Sequence, residues 1–136
     1  MKNVPRLYFD SQGLRIENEG RYSDTLTWTS VLEVFAFKED VFAYDIICIG
    51  FRTDNIGTHW KVDEECEGYK ELLSFLPRIF PGIRTDWFTN VAFPAFKPCV
   101  TFLWGEAKMD SIWKTEPDAA APMRVVNARA TLFLPG

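Results

Sequence analysis

The chain contains few of the residues from which catalytic and metal sites are built. Its 136 residues include one histidine, His59, and three cysteines, none in a Cys-x-x-Cys spacing. Any Ser-His-Asp or Cys-His arrangement would have to use His59. The sequence also has no Gly-x-Ser-x-Gly motif and no glycine-rich phosphate loop. We therefore predict no catalytic centre, no cofactor and no metal, and we expect free, buried thiols at Cys48, Cys66 and Cys99.

Long apolar segments are absent as well. No stretch approaches the roughly 18–20 apolar residues that a helix needs to cross a bilayer. Residues 1–6 lead into a polar strand pattern and lack the continuous apolar segment of a secretory signal. Together with the odd number of cysteines, this favours a cytoplasmic protein that does not bind membranes.

Acidic residues outnumber basic ones, and most of the excess lies in the first half of the chain. The net charge is −4; residues 1–71 hold fourteen acidic and eight basic residues, and residues 72–136 hold five and seven. An acidic surface repels phosphate backbones, so we predict that the protein does not bind nucleic acid. It would suit a basic protein partner, although a simply solvated surface is the ordinary alternative.

Hydrophobic residues make up 47% of the chain and aromatic residues 15%, which is enough for the core of one domain. We assign residues 1–113 to a single α+β domain. Residues 114–136 include the segment Glu-Pro-Asp-Ala-Ala-Ala-Pro, and we assign them to a flexible connector followed by a tail or a last strand.

Short strand patterns separated by turn residues fill the first 62 residues. They predict strands at residues 7–10, 14–17, 25–38, 44–52 and 58–62, with a bulge or short turn near Thr29 and Ser30. The first two strands are expected to form a hairpin, in which alternation places Leu14 and Ile16 on one face. A turn is expected at Glu39–Asp40, and Lys38 is expected to pair with Asp45 across neighbouring strands. Residues 44–52 are apolar on both faces, with Ile46, Cys48 and Gly50 on one and Ile47, Ile49 and Phe51 on the other, which is typical of a central strand. These patterns predict an antiparallel sheet, arranged as a meander or a partly open barrel.

One amphipathic helix is predicted to follow the sheet. Asp63 is a natural N-cap, and apolar residues then recur at three- and four-residue intervals as far as Phe80. The helix is expected over about Glu64–Leu76, with a ragged continuation to Ile79. Pro77 predicts a kink or an end there, and Pro81 with Gly82 ends the helix. A second short helix is expected over residues 86–93.

Two sets of residues are candidates for binding a partner. The first is the carboxylate cluster Glu64, Glu65 and Glu67, which placement in the first helical turn would also explain. The second is the aromatic set Trp87, Phe96 and Trp104, for which core packing is the alternative. His59 with a carboxylate is the only catalytic alternative, and an exposed histidine at a strand end is its ordinary interpretation.

Several segments resemble a family of small uncharacterised bacterial proteins. They are residues 26–40 (LTWTSVLEVFAFKED), 45–49 (DIICI), 63–69 (DEECEGY), 87–96 (WFTNVAFPAF) and 101–104 (TFLW). The resemblance covers about residues 5–105. It implies a pleckstrin-homology-like arrangement of antiparallel strands followed by a helix. It implies no activity and no site residues.

These observations predict a non-catalytic protein-interaction module of bacterial type. By size and charge it is similar to immunity proteins, which bind a basic toxin, and this is an analogy of setting rather than of motif. A domain that binds a small ligand or a lipid headgroup is the second hypothesis. A hydrolase that uses His59 is the third hypothesis. Association of the chain with copies of itself is a further alternative to a separate protein partner.

Overall fold

Two antiparallel sheets and two helices form an α+β fold in the computed structural model, which describes residues 4–40, 43–88, 91 and 100–115. The first sheet contains β1 (Arg6–Phe9), β2 (Gly13–Asn18), β3 (Arg21–Tyr22) and β4 (Leu26–Thr27). The second contains β5 (Glu33–Asp40), β6 (Asp45–Arg52), β7 (His59–Asp63) and β8 (Thr101–Gly105). The helices are α1 (Tyr69–Ile79) and α2 (Met109–Thr115), with a 3₁₀ helix at Trp28–Ser30. No helix within these ranges is long and apolar enough to span a membrane.

The first sheet begins with the predicted hairpin. β1 pairs with β2, and β2 also pairs with β3 and β4. The turn between β1 and β2 is held by Asp10, whose Oδ1 accepts hydrogen bonds from the backbone N–H groups of Gln12 (2.8 Å) and Gly13 (3.2 Å). Such Asx turns are a usual reason for aspartate at this position.

The second sheet has the strand order β7-β6-β5-β8, which confirms that β6 is a central strand. The side chains on the two faces of β6 belong to two different hydrophobic cores. Ile47, Ile49 and Phe51 face the main core, which also contains the inner residues of the first sheet and of α1. Ile46 and Cys48 face a smaller core together with Phe35, Phe37 and Met109. The predicted division of the β6 side chains is therefore correct.

The main core is organised around the indole of Trp28. Its ring centroid lies 5.7 Å from that of Phe51 and 5.6 Å from that of Phe80. Its Nε1 donates a 2.8 Å hydrogen bond to the carbonyl of Asp10. This bond satisfies the polar atom of a buried indole, and it ties the 3₁₀ helix to the β1–β2 turn.

A buried ion pair connects the second sheet to α2. The Nε of Arg52 donates to Oε1 of Glu33 at 2.8 Å, and both side chains are excluded from solvent. The guanidinium also donates to the backbone carbonyls of Asp54 and Glu106. Oε1 of Glu33 in turn accepts from the backbone N–H groups of Lys108 (3.1 Å) and Met109 (2.9 Å) at the start of α2.

The predicted strand at residues 25–38 is divided in the structure. The expected turn near Thr29 and Ser30 is the 3₁₀ helix, which separates β4 from β5. The turn predicted at Glu39–Asp40 is wrong, because these residues extend β5 and pair with Ile46 and Asp45. The expected contact between Lys38 Nζ and Asp45 Oδ2 is present at 3.6 Å.

The predicted start of the first helix is also wrong. Asp63 is the last residue of β7, opposite Cys48, and its Oδ1 accepts from the backbone N–H of Glu65 at 2.9 Å in a turn. Helix α1 begins only after Gly68, whose φ of 93° lies in the left-handed region that glycine tolerates best. The helix continues past Pro77 and ends at Ile79, as the expected ragged continuation had it, because a proline in the last turn removes only one late hydrogen bond.

Two elements were not predicted as such. The apolar run near residue 101 is the edge strand β8, and α2 crosses the predicted domain boundary at residue 113. The helix expected over residues 86–93 is described only in part, where the N–H of Val91 donates to the carbonyl of Trp87 at 3.2 Å. Cys99 and the tail after residue 115 lie outside the described residues.

We expect the Glu33–Arg52 pair to behave as one unit in unfolding experiments. Glu33→Gln removes the nearer of the two carboxylates paired with Arg52, and Arg52→Met leaves the buried charge of Glu33 without Arg52. Breaking a buried ion pair typically costs about 3–5 kcal/mol. The double variant removes both charges and should cost clearly less than the sum of the two single changes. Urea denaturation followed by circular dichroism measures all three. Asp110→Asn, in an exposed pair with Lys114, is the control and should cost less than about 1 kcal/mol. If the loss in the free energy of unfolding of the double variant equals the sum of the two single losses, the two residues are not coupled.

Candidate functional site

The outer face of the first sheet carries two exposed tyrosines in contact with each other. Tyr8 of β1 is 38% exposed and Tyr22 of β3 is 53% exposed, and their ring centroids are 5.7 Å apart. The guanidinium carbon of Arg15, on β2, lies 5.1 Å from the centroid of the Tyr22 ring. Such a distance permits a cation–π contact.

Strand alternation places these side chains outside. Leu7, Leu14 and Ile16 point into the main core, so their neighbours in sequence point away from it. The register sets Tyr8 opposite Arg15, and Glu17 opposite both Arg6 and Tyr22. The outer groups therefore come from three paired strands, whose ladders fix their relative positions.

The predicted carboxylate cluster lies in the turn between β7 and α1, not in a helix. Oε1 of Glu64 accepts from the backbone N–H of Ile47 at 3.0 Å, and Oε2 of Glu65 accepts from the hydroxyl of Tyr44 at 2.7 Å. Both donors are neutral, and within the described part of the chain neither carboxylate forms an ion pair. Oε2 of Glu67, by contrast, lies 2.6 Å from Nη2 of Arg6 in an ion pair.

The same turn is attached to the first sheet by its backbone. Glu67 accepts from the N–H of Leu7 at 2.9 Å and donates to the carbonyl of Pro5 at 2.8 Å. The hydrogen bond to Glu67 also raises the pKa of Arg6, which further contacts Tyr8. Contacts thus link Glu67 through Arg6 to the two tyrosines, and Glu64 and Glu65 belong to the same turn as Glu67. We call this set the tyrosine–carboxylate surface; its members are Arg6, Tyr8, Arg15, Glu17, Tyr22, Tyr44, Glu64, Glu65 and Glu67.

The aromatic residues that the sequence suggested for partner binding are placed differently. Trp87 is 6% exposed and belongs to the main core. Trp104 is half-buried on β8, with its ring centroid 4.6 Å from that of Phe80. Phe96 lies outside the described residues. Sequence reasoning missed Tyr8 and Tyr22, although the alternation of buried and exposed positions in the first hairpin already separated Tyr8 from the core.

His59 is buried, which overturns the expectation of an exposed strand-end histidine. Its Nδ1 lies 2.8 Å from the carbonyl oxygen of Gly57 and must therefore carry the proton of that hydrogen bond. Burial lowers the pKa of His59, because it disfavours the charged imidazolium. The side chain makes no hydrogen bond to a carboxylate among the described residues and has no exposed surface, so this geometry does not support a general base for an external substrate.

The described cysteines are buried as expected. Cys48 and Cys66 are free thiols, and burial raises the pKa of Cys48 far above its ordinary value. A thiol in that environment stays protonated and unreactive at neutral pH. No group of three or more histidine, cysteine, aspartate or glutamate side chains in the described ranges is arranged to bind a metal.

An apolar groove of about 180 Å³ runs beside the C-terminal half of α1. Its walls include Leu73, Pro77 and Trp87, and Arg84 is among its few polar residues. Phe88 also lines the groove. We assign no ligand to it.

Comparisons with models of protein families, with curated proteins and with solved structures give no match. The resemblance to a bacterial family and the pleckstrin-like arrangement therefore stay predictions.

We expect the tyrosine–carboxylate surface to be dispensable for folding. Tyr8→Ala and Tyr22→Ala remove exposed rings and should each lower the free energy of unfolding by about 1 kcal/mol or less. Trp28→Ala, which empties the middle of the main core, should lower it by about 3–5 kcal/mol. Chemical denaturation of the three variants measures the difference. Equal losses at Tyr22 and Trp28 would mean that the outer face is structural.

Proposed function

We propose that the protein is a non-catalytic protein-interaction module that binds a basic protein partner through the tyrosine–carboxylate surface. The observation that supports this best is the exposed cluster of Tyr8, Arg15 and Tyr22 on paired strands. Tyrosine and arginine are enriched at protein interfaces and among the residues that dominate their binding energy. Because the ladder already holds these side chains, little conformational entropy is lost when a partner binds.

The charges of the surface indicate the chemistry of the partner. It carries four carboxylates, those of Glu17, Glu64, Glu65 and Glu67, against the guanidiniums of Arg6 and Arg15. Arg6 is already paired with Glu67, and the donors to Glu64 and Glu65 are neutral. Lysine and arginine side chains of a partner would therefore find negative charge here and could stack on the tyrosine rings. The same carboxylates disfavour anionic lipid headgroups.

The setting that fits such a module is the bacterial cytoplasm. Small acidic proteins that cover a basic partner act there as immunity-like proteins, and the size and net charge of this chain suit that role. In that role the module would work by occupying the surface of the partner, so it would need no catalytic residues of its own.

Affinity capture from the native lysate with matched variants tests the proposal. The bait is the tagged chain, compared with Tyr22→Ala and with a double variant that carries Glu64→Gln and Glu65→Gln. Glutamine retains an oxygen acceptor for the Ile47 N–H and the Tyr44 hydroxyl, so this double change removes charge while keeping the turn. Ile56→Ala changes an exposed hydrophobic residue outside the surface and is the control.

We expect the wild type and Ile56→Ala to retain one basic protein in stoichiometric amount. Tyr22→Ala should weaken its binding by about 30-fold, as at a residue that dominates binding energy. The glutamine variant should bind more weakly at low salt and respond less to added salt, because screening then has fewer charges to act on. Equal capture by all baits, or capture of an acidic partner only, would contradict the proposal.

A further inference from the structure

Helix α2 covers the face of the second sheet that points away from the main core. Met109 is buried in the smaller core, and Ile112 and Trp113 pack against it. The ring centroid of Trp113 lies 5.3 Å from that of Phe37. At its N-terminal end, α2 is held by the hydrogen bonds from Lys108 and Met109 to Glu33. A seven-residue helix is too short to persist without such contacts.

His59 lies within this interface and is surrounded by aromatic rings. The centroids of Phe35, Phe37 and Trp113 are 5.3, 6.2 and 6.5 Å from that of the imidazole. With the proton on Nδ1, the other nitrogen, Nε2, is a bare acceptor. Among the described residues, neither His59 Nε2 nor Trp113 Nε1 has a hydrogen-bond partner, although both atoms are buried. The interface therefore holds one donor and one acceptor that its own residues leave unsatisfied.

We propose that His59 is an acid-sensitive latch: protonation of its Nε2 releases α2 from the second sheet while the main core stays folded. The added proton would convert Nε2 from an acceptor into a charged donor. No acceptor stands ready for that donor among the aromatic rings, so the closed interface would enclose an unsatisfied charge.

The charged groups around His59 do not offset this cost. Arg52 lies directly opposite His59 in the ladder, and its charge is paired with Glu33 at 2.8 Å; Lys61, on the same strand, is paired with Glu39 at 2.8 Å. Asp54 and Glu39 attract the proton from a distance, whereas Asp110 and Lys114 of α2 are paired with each other at 3.0 Å and exposed. Cys48, from β6, is a neutral thiol. Burial is the largest cause of the lowered pKa of His59, and Lys61 acts in the same direction.

The strands behind His59 should stay in place when α2 leaves. β7 is joined to β6 by five residue pairs, and the opposite face of both strands belongs to the main core. Losing α2 exposes the smaller core and breaks the two backbone hydrogen bonds to Glu33, whereas the main core is not affected. The event is thus a local opening rather than global unfolding.

The direction of the pH dependence follows from the pKa difference. A released His59 has a pKa near its ordinary 6.5, and the closed state has a lower pKa. The open state therefore binds the proton better between these two values. Over that range the ratio of open to closed molecules should rise about tenfold for each unit that the pH falls. Below the closed-state pKa it should level off.

Nuclear magnetic resonance of the wild-type chain tests the latch directly, because the sequence contains only one histidine. Long-range proton–nitrogen spectra of a ¹⁵N-labelled sample should show the Nδ1–H tautomer at pH 7.5. On titration towards pH 5, the indole signal of Trp113 and the amides of α2 should shift and lose protection from hydrogen exchange together with His59 protonation. The indole N–H signal of Trp28, which is hydrogen-bonded to the carbonyl of Asp10 in the main core, should keep its chemical shift and its protection. Trp113→Phe assigns the indole signal.

His59→Asn is the matched variant, since its amide can still donate to the Gly57 carbonyl but does not titrate. In this variant the α2 signals should no longer respond between pH 7 and pH 5. A response that persists in it would overturn the proposal by assigning the opening to carboxylates. So would His59 protonation in the wild type that leaves Trp113 and α2 unchanged, or simultaneous loss of the Trp28 and Trp113 signals. If the variant does not fold, the wild-type comparison of His59, Trp113 and Trp28 still decides the question.

Discussion

The buried contact between Arg52 and Glu33 sets the arrangement of the second half of the fold. A buried charge must be satisfied by fixed partners. For Arg52 these are the carboxylate of Glu33, the backbone carbonyls of Asp54 and Glu106, and the carboxylate of Glu106 at 3.6 Å. Glu33 is satisfied in turn by the first N–H groups of α2. The path of the chain after β8 is therefore constrained by a pair of residues on β5 and β6, far away in sequence.

This constraint explains why the second sheet has two packed faces. One face packs against the first sheet and α1. The other face is covered by α2, whose first residues are hydrogen-bonded to Glu33 of β5. Gly50 allows the second packing: a Cβ at this position would overlap the ring of Phe35. A glycine in the middle of a central strand usually weakens it, and here the ring of a neighbouring strand fills the space.

Local patterns predicted the parts of this fold that depend on neighbours in sequence. The alternation in the first hairpin and the two apolar faces of β6 identified those strands and their faces. Asp63 was misassigned because a short acidic side chain suits both a helix N-cap and a turn, and only its pairing with Cys48 decides between them.

The tyrosine–carboxylate surface was half predicted: the glutamates were found by their density, whereas Tyr8 and Tyr22 meet only through the pairing of β1 and β3 with β2. The roles of Arg52 and His59 depend on α2, which no local pattern indicated.

The two proposed functional features lie on opposite sides of the main core. The tyrosines occupy the outer face of the first sheet, whose inner residues share that core with Ile47, Ile49 and Phe51 of β6. His59 lies on the far side of the same sheet as β6, under α2. Because packed cores resist small displacements, the release of α2 would leave the ladder that holds the tyrosines unchanged. Acid would thus expose an apolar surface around Phe37 and Trp113 and leave the tyrosine–carboxylate surface intact. A partner bound at the tyrosines would not by itself oppose this opening, since a ligand shifts an equilibrium only by its differential affinity for the two states.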